Sequence, residues 1–79
     1  MPSIVPAQIR AARAMLDWSM LDLAKAARIS ISTVKRFERG GAQIVSDDAV
    51  ALMQGAAEAA GVCFLSDEGD GPGVRLGRR

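Results

Sequence analysis

Residues 18–40 read WSMLDLAKAARISISTVKRFERG, and this stretch decides the fold. Ser19 and Ser30 stand where helix N-caps belong, each with a hydroxyl able to accept from the first free backbone N–H groups. Asp22, three residues after Ser19, completes a short capping box. An apolar residue precedes each cap, Trp18 or Ile29, and another follows five residues on, Leu23 or Val34. These are the paired positions of a hydrophobic staple. Only Arg28, Ile29 and Ser30 separate the two segments, too few to lay them end to end. The spacing predicts two short helices, about 20–27 and 31–39, that cross steeply.

That crossing is the helix-turn-helix geometry, and the residues themselves carry a resemblance. The pattern W-S-x-x-x-L-A-x-x-A-x-I-S-x-x-T-V-x-R-x-E-x-G resembles the phage-repressor type (XRE-like) helix-turn-helix regulators, with the resemblance strongest from Gln8 to Gly40. It implies a four-helix DNA-binding domain whose helix 31–39 enters the major groove. Ile31, Ser32 and Lys35 then occupy base-reading positions, with Arg36 at either base or backbone. Ile31 would pack on a thymine methyl, and Lys35 or Arg36 would donate to guanine O6 and N7. Arg39 and the amides near Ser19, including that of Met20, would hold phosphates and set register. The resemblance also pairs Arg13 with Glu38, tying the first helix to the end of the third. Two residues depart from the family's habit. Met20 stands where a glutamine usually touches the DNA backbone. Arg28 stands where the turn often has glycine, a position that can require a left-handed backbone.

Working outward, Pro6 suits the first turn of a helix because its missing N–H costs nothing there. Val5, Ile9, Ala12 and Leu16 then recur at helical spacing and predict one core-facing stripe. Arg10 lies beside that stripe and is expected to project outward toward a phosphate. In helix 20–27, Leu23, Ala24 and Ala27 face inward, and Lys25 and Asp22 face solvent. In helix 31–39, Val34 and Phe37 face inward, while Ile31, Ser32, Lys35, Arg36 and Arg39 share the opposite, exposed face. Gly40 and Gly41 end it. Residues 1–40 hold seven basic and three acidic side chains, a net +4, and residues 41–79 hold three basic and six acidic, a net −3. The positive half is the half with the motif, as an electrostatic footprint on DNA requires.

Residues 41–45 read as a loop, after which Ser46 caps a fourth helix with Val45 stapled to Val50 and Asp47 and Asp48 at its positive end. Val50, Met53, Ala57 and Ala60 form one apolar face, closing the core. Leu52, Ala56 and Ala59 form a second, with nothing left in the subunit to cover it. Gly55 mid-helix costs about 1 kcal/mol against alanine, which suggests that another backbone comes close. Gly61 ends this helix. Val62–Leu65 and Gly73–Leu76 are short β-prone runs flanking the turn-rich Ser66–Pro72, with Val62 and Phe64 sharing a face with Val74 and Leu76. A lone two-stranded hairpin is marginal in water, so it either packs on helix four or pairs with a second subunit. From Leu76 onward, through Arg78 and Arg79, the chain is expected to fray.

The expected architecture is therefore mainly α. Residues 1–61 form a four-helix phage-repressor-like DNA-binding domain, and residues 62–79 a short C-terminal β-hairpin that is a candidate dimerisation element. Leu52, Gly55, Ala56, Ala59, Val62, Phe64, Val74 and Leu76 are the candidate dimer interface. The 79 residues suffice for one small domain, which leans readily on a partner subunit. One cysteine, Cys63, and no histidine or tyrosine leave no internal disulfide and no multi-cysteine metal site. No phosphate-cradling glycine loop is followed by Lys and Ser/Thr, and Ser30 and Ser32 lack a base. An enzyme, a cofactor and a membrane span are not expected. The readings left are a dimeric regulator of double-stranded DNA in the cytoplasm and, as the alternative, an antitoxin-type module gripping a partner protein through its C-terminal segment.

Overall fold

The computed structural model of the chain describes residues 4–40 and 45–77. In order these form α1 (Pro6–Leu16), α2 (Met20–Ala27), α3 (Ile31–Arg39), α4 (Asp47–Ala59), β1 (Val62–Leu65) and β2 (Gly73–Leu76). Gly41 and most of the expected loop before Val45 lie outside the described residues, as do Arg78 and Arg79.

Each helix starts where its sequence places a cap. The Ser19, Ser30 and Ser46 hydroxyls accept from the N–H groups of Asp22, Thr33 and Ala49 at 3.0, 3.1 and 3.1 Å. The turns after α1 and α2 share one geometry. Asp17 and Arg28 sit in the left-handed region at φ 59° and 60°. The next N–H reaches back to close the helix, Trp18 to the Arg13 carbonyl at 2.9 Å and Ile29 to the Ala24 carbonyl at 3.0 Å. Trp18 and Ile29 pack against the core as well, so one apolar residue closes one helix and staples the next. Gly40, at φ 70°, ends α3.

Every helix gives the core one large side chain with almost no exposure: Ile9 from α1, Leu23 from α2, Val34 from α3 and Met53 from α4. Burying side chains of this size is worth about 1.5–3 kcal/mol each, so these four knit the helices together. Ala24 and Ala27 let α2 lie close against its neighbours. Val5 departs from the expected stripe. It is the N-cap residue of α1 and is exposed, because the helix begins after it and its side chain leaves the inward face.

The hairpin packs within the subunit. β1 and β2 are antiparallel, with Val62 opposite Leu76 and Phe64 opposite Val74. Val62 joins Ala12 of α1 and Ala57 of α4 in a second small core, with Leu16, Phe64 and Val74 packed against it. Leu76 is not frayed: it pairs with Val62, and the next N–H, of Gly77, bonds the Gly61 carbonyl at 2.6 Å. That approach needs glycine, since a Cβ on Gly77 would lie 2.8 Å from the Gly61 oxygen. No helix among the described residues is long and apolar enough to cross a membrane.

Candidate nucleic-acid interface

The geometry of α3 is set from below and from behind. Val34 and half-buried Phe37 seat it on the core. Behind it, Arg13 of α1 grips Glu38 with two parallel bonds, Nε to Oε2 at 2.6 Å and Nη2 to Oε1 at 2.8 Å. Its third nitrogen, Nη1, donates to the Trp18 carbonyl at 3.1 Å. One guanidinium thus fixes the end of α3 and the residue just before the cap of α2. Glu38 is only 5% exposed. Its hydrogen bonds raise the Arg13 pKa against the opposing pull of burial. A pair this enclosed adds little net stability, but breaking it strands a buried charge.

Arg10 does not simply project outward. Its Nη1 donates to the Glu38 carbonyl at 2.6 Å, supplying a partner to one of the last carbonyls of α3, which have none inside the helix. The residue as a whole is exposed. At the front, the first turn of α2 is locked by a reciprocal pair. Asp22 Oδ2 accepts from the Ser19 N–H at 2.9 Å, and the Ser19 hydroxyl accepts from the Asp22 N–H. The Ser19 backbone N–H, then its hydroxyl, hold the Asp22 carboxyl below the usual range.

The residues expected to face outward from α3 separate into two rows at i, i+4 spacing. Ser32 and Arg36 form one; both are exposed, and Arg36 Nη2 touches the Thr33 hydroxyl at 3.3 Å. Ile31, Lys35 and Arg39 form the other. Lys35 and Arg39 are exposed, but Ile31 is half-buried and packed against the core, so it does not stand free on the face as expected. The first turn of α3 thus gives an apolar residue to the interior. Met20 does the same at the start of α2, where its side chain packs on the core. A cleft of about 320 Å³ lies between α1, the start of α2 and α3, lined by Arg10, Met20, Lys35, Glu38 and Arg39.

The candidate dimer residues divide as well. Val62 is 3% exposed beneath its own helices, and Ala56, Phe64 and Val74 pack against the two cores, because the hairpin folds back onto α1 and α4. They are engaged within the subunit. Leu52 and Leu76 are each 50% exposed, Ala59 is exposed, and Gly55 faces open space with no backbone against it.

Gln8, which the sequence reading passed over, proves central. It is 4% exposed, and its Oε1 accepts from the Val5 N–H at 2.8 Å. Its amide nitrogen donates to the carbonyls of Leu65 and Gly73, at 3.1 and 2.8 Å, clasping the hairpin where the turn leaves it. The available signal was its place as the third helical residue after Val5, where a glutamine can bond back to the cap. Among the described residues, no group of His, Cys, Asp and Glu is arranged to hold a metal.

The helix-turn-helix family model (HTH_3) matches residues 9–54, from within α1 through most of α4 and more than half of the chain. No curated protein matches the chain itself.

Proposed function

The chain belongs to the helix-turn-helix family of DNA-binding regulators, and from that premise we propose that it binds one DNA sequence as a dimer and represses transcription there. The observation that carries this reading is the outer face of α3. Ser32, Lys35, Arg36 and Arg39 are exposed together on a helix braced at both ends, and none of the three cations has a carboxylate in salt-bridge range among the described residues. Unpaired, pre-positioned cations on a major-groove-sized rod suit phosphate and guanine. Repression needs only occupancy, since a protein seated in the groove excludes others from the same site. Such a regulator works where the DNA is, in the cytoplasm of a bacterial cell.

Dimerisation is supported by Leu52, Gly55, Ala59 and Leu76, apolar or small groups left open on α4 and β2. A two-fold contact through them would space two α3 helices about 34 Å apart, one turn of B-DNA. Selection from random duplex DNA tests the function: enrichment of a near-palindrome is expected, and no enrichment at low salt would refute it. Light scattering of Leu52→Arg tests the dimer separately. It should give folded monomers that bind the selected duplex far more weakly, and wild-type chain that stays monomeric on its duplex would end the idea.

A further inference from the structure

We propose that Thr33 is a positioning residue for base reading: its hydroxyl, itself held by the Ser30 cap, sets the Arg36 guanidinium for the edge of a guanine. The inference rests on the DNA-binding reading above and deepens one part of it. The resemblance leaves Arg36 at either base or backbone and assigns Thr33 no role. Thr33 acts through Arg36 and does not itself touch the base.

The geometry is a short relay from the cap into α3. The Ser30 hydroxyl accepts from the Thr33 N–H at 3.1 Å and lies 2.9 Å from the Thr33 hydroxyl. Thr33 Oγ1 in turn accepts from Arg36 Nη2 at 3.3 Å. That last direction is fixed, because a guanidinium has only N–H groups to give. A helical threonine divides between two side-chain rotamers, and the contact with Ser30 Oγ selects one for half-buried Thr33. Arg36 stands three residues on, and helical side chains lean back toward the N-terminus, so its guanidinium meets that hydroxyl. Lys35 and Arg39, the other cations of α3, have no side-chain partner among the described residues. Of the three, Arg36 is the one whose direction is set. A bond this exposed adds little to folding, so orientation is its main consequence. A guanine edge presents O6 and N7 in one plane and needs a guanidinium laid in that plane. The contact with Thr33 takes one N–H and leaves the rest of the fork for both acceptors.

The experiment compares Thr33→Val, Thr33→Ser, Arg36→Ala and the Thr33→Val, Arg36→Ala double variant with the wild type. Affinities are measured on a selected duplex, on its single-base variants and on random DNA, beside a thermal melt of each chain. Arg36→Ala should lose discrimination at one base pair by about 5- to 150-fold. Thr33→Val keeps the branched shape and the N–H that Ser30 caps, so it should melt with the wild type. It should nonetheless weaken the selected duplex by about 2- to 13-fold, the cost of ordering a free arginine, and leave random DNA unchanged. In the Arg36→Ala background the same change should do nothing more. Thr33→Ser, which keeps the hydroxyl, should bind as the wild type does. Four results overturn the assignment while leaving DNA binding intact. Arg36→Ala relaxes no position, or Thr33→Val discriminates as well as the wild type. Thr33→Ser is as impaired as Thr33→Val. The loss in Thr33→Val persists without Arg36 or falls equally on random DNA, which makes Thr33 a DNA contact in its own right. The loss tracks a lowered melting midpoint, which makes its role structural. A wild type that enriches no sequence overturns both readings.

Discussion

The helix pair of residues 18–40 and the hairpin of residues 62–76 are each small and each depend on the rest of the chain, but they are held in different ways. In the helix pair every closure is local. Ser19 bonds Asp22, Ser30 bonds Thr33, and the Trp18 and Ile29 amides reach back five residues to finish the preceding helix. The hairpin has few such devices of its own. It is held by Gln8, 57 and 65 residues away in sequence, and by Ala12 and Ala57 beneath Val62. The helix pair should therefore form early and locally, and the hairpin should be the part that opens first.

The sharpest way to break this comparison is through the long-range ion pair that ties the end of α3 to α1. Glu38→Ala strands the Arg13 guanidinium and is expected to cost about 3–5 kcal/mol, lowering the midpoint of chemical denaturation for the whole chain. An unchanged midpoint would show that α3 needs no brace. Gln8→Leu acts on the other region. It leaves the Leu65 and Gly73 carbonyls without their clasp and should cost about 2 kcal/mol, read as faster amide exchange in β1 and β2 while α2 and α3 keep their protection. Uniform loss of protection would merge the two regions into one.

Smaller effects sharpen the same contrast. Arg28 holds a left-handed backbone that glycine adopts without cost, so Arg28→Gly should stabilise the turn by up to about 1 kcal/mol in thermal melts. The smallest expected effect lies in the hairpin turn. Asp67 Oδ1 accepts from the Gly69 and Gly71 N–H groups, which hold its carboxyl below the usual range. A depressed carboxyl stabilises the fold above its ordinary pKa, and that contribution fades as the pH falls through the lowered value. Protection of the Gly69 and Gly71 amides, taken relative to their intrinsic exchange at each pH, should therefore fall as the Asp67 carboxyl is protonated, and Asp67→Ala should lack that protection at neutral pH already.

These differences explain what could be read from the chain and what could not. The helix bounds, the three serine caps and both strands follow from signals a few residues long, and the structure has them all. Arg13 with Glu38 spans 25 residues and was suggested only by a family resemblance. Gln8 with the hairpin spans more than twice that and left no trace beyond a favourable position in its own helix. Periodicity puts Ile31 and Lys35 on the outer face of α3; Lys35 is exposed there, but Ile31 is half-buried against the core, which spacing alone does not reveal. The apolar stripe of α4 was likewise only half open, since Ala56 reaches the core.

Amide chemical shifts during titration with a selected duplex test the central claim most directly, because they report both regions at once. The largest changes are predicted at Met20 and Leu21 and along Ile31–Arg39, with β1 and β2 nearly silent at the first equivalents of DNA. Changes concentrated in Val62–Leu65 and Gly73–Leu76, with α3 unmoved, would contradict the assignment of the helix pair as the DNA-binding surface.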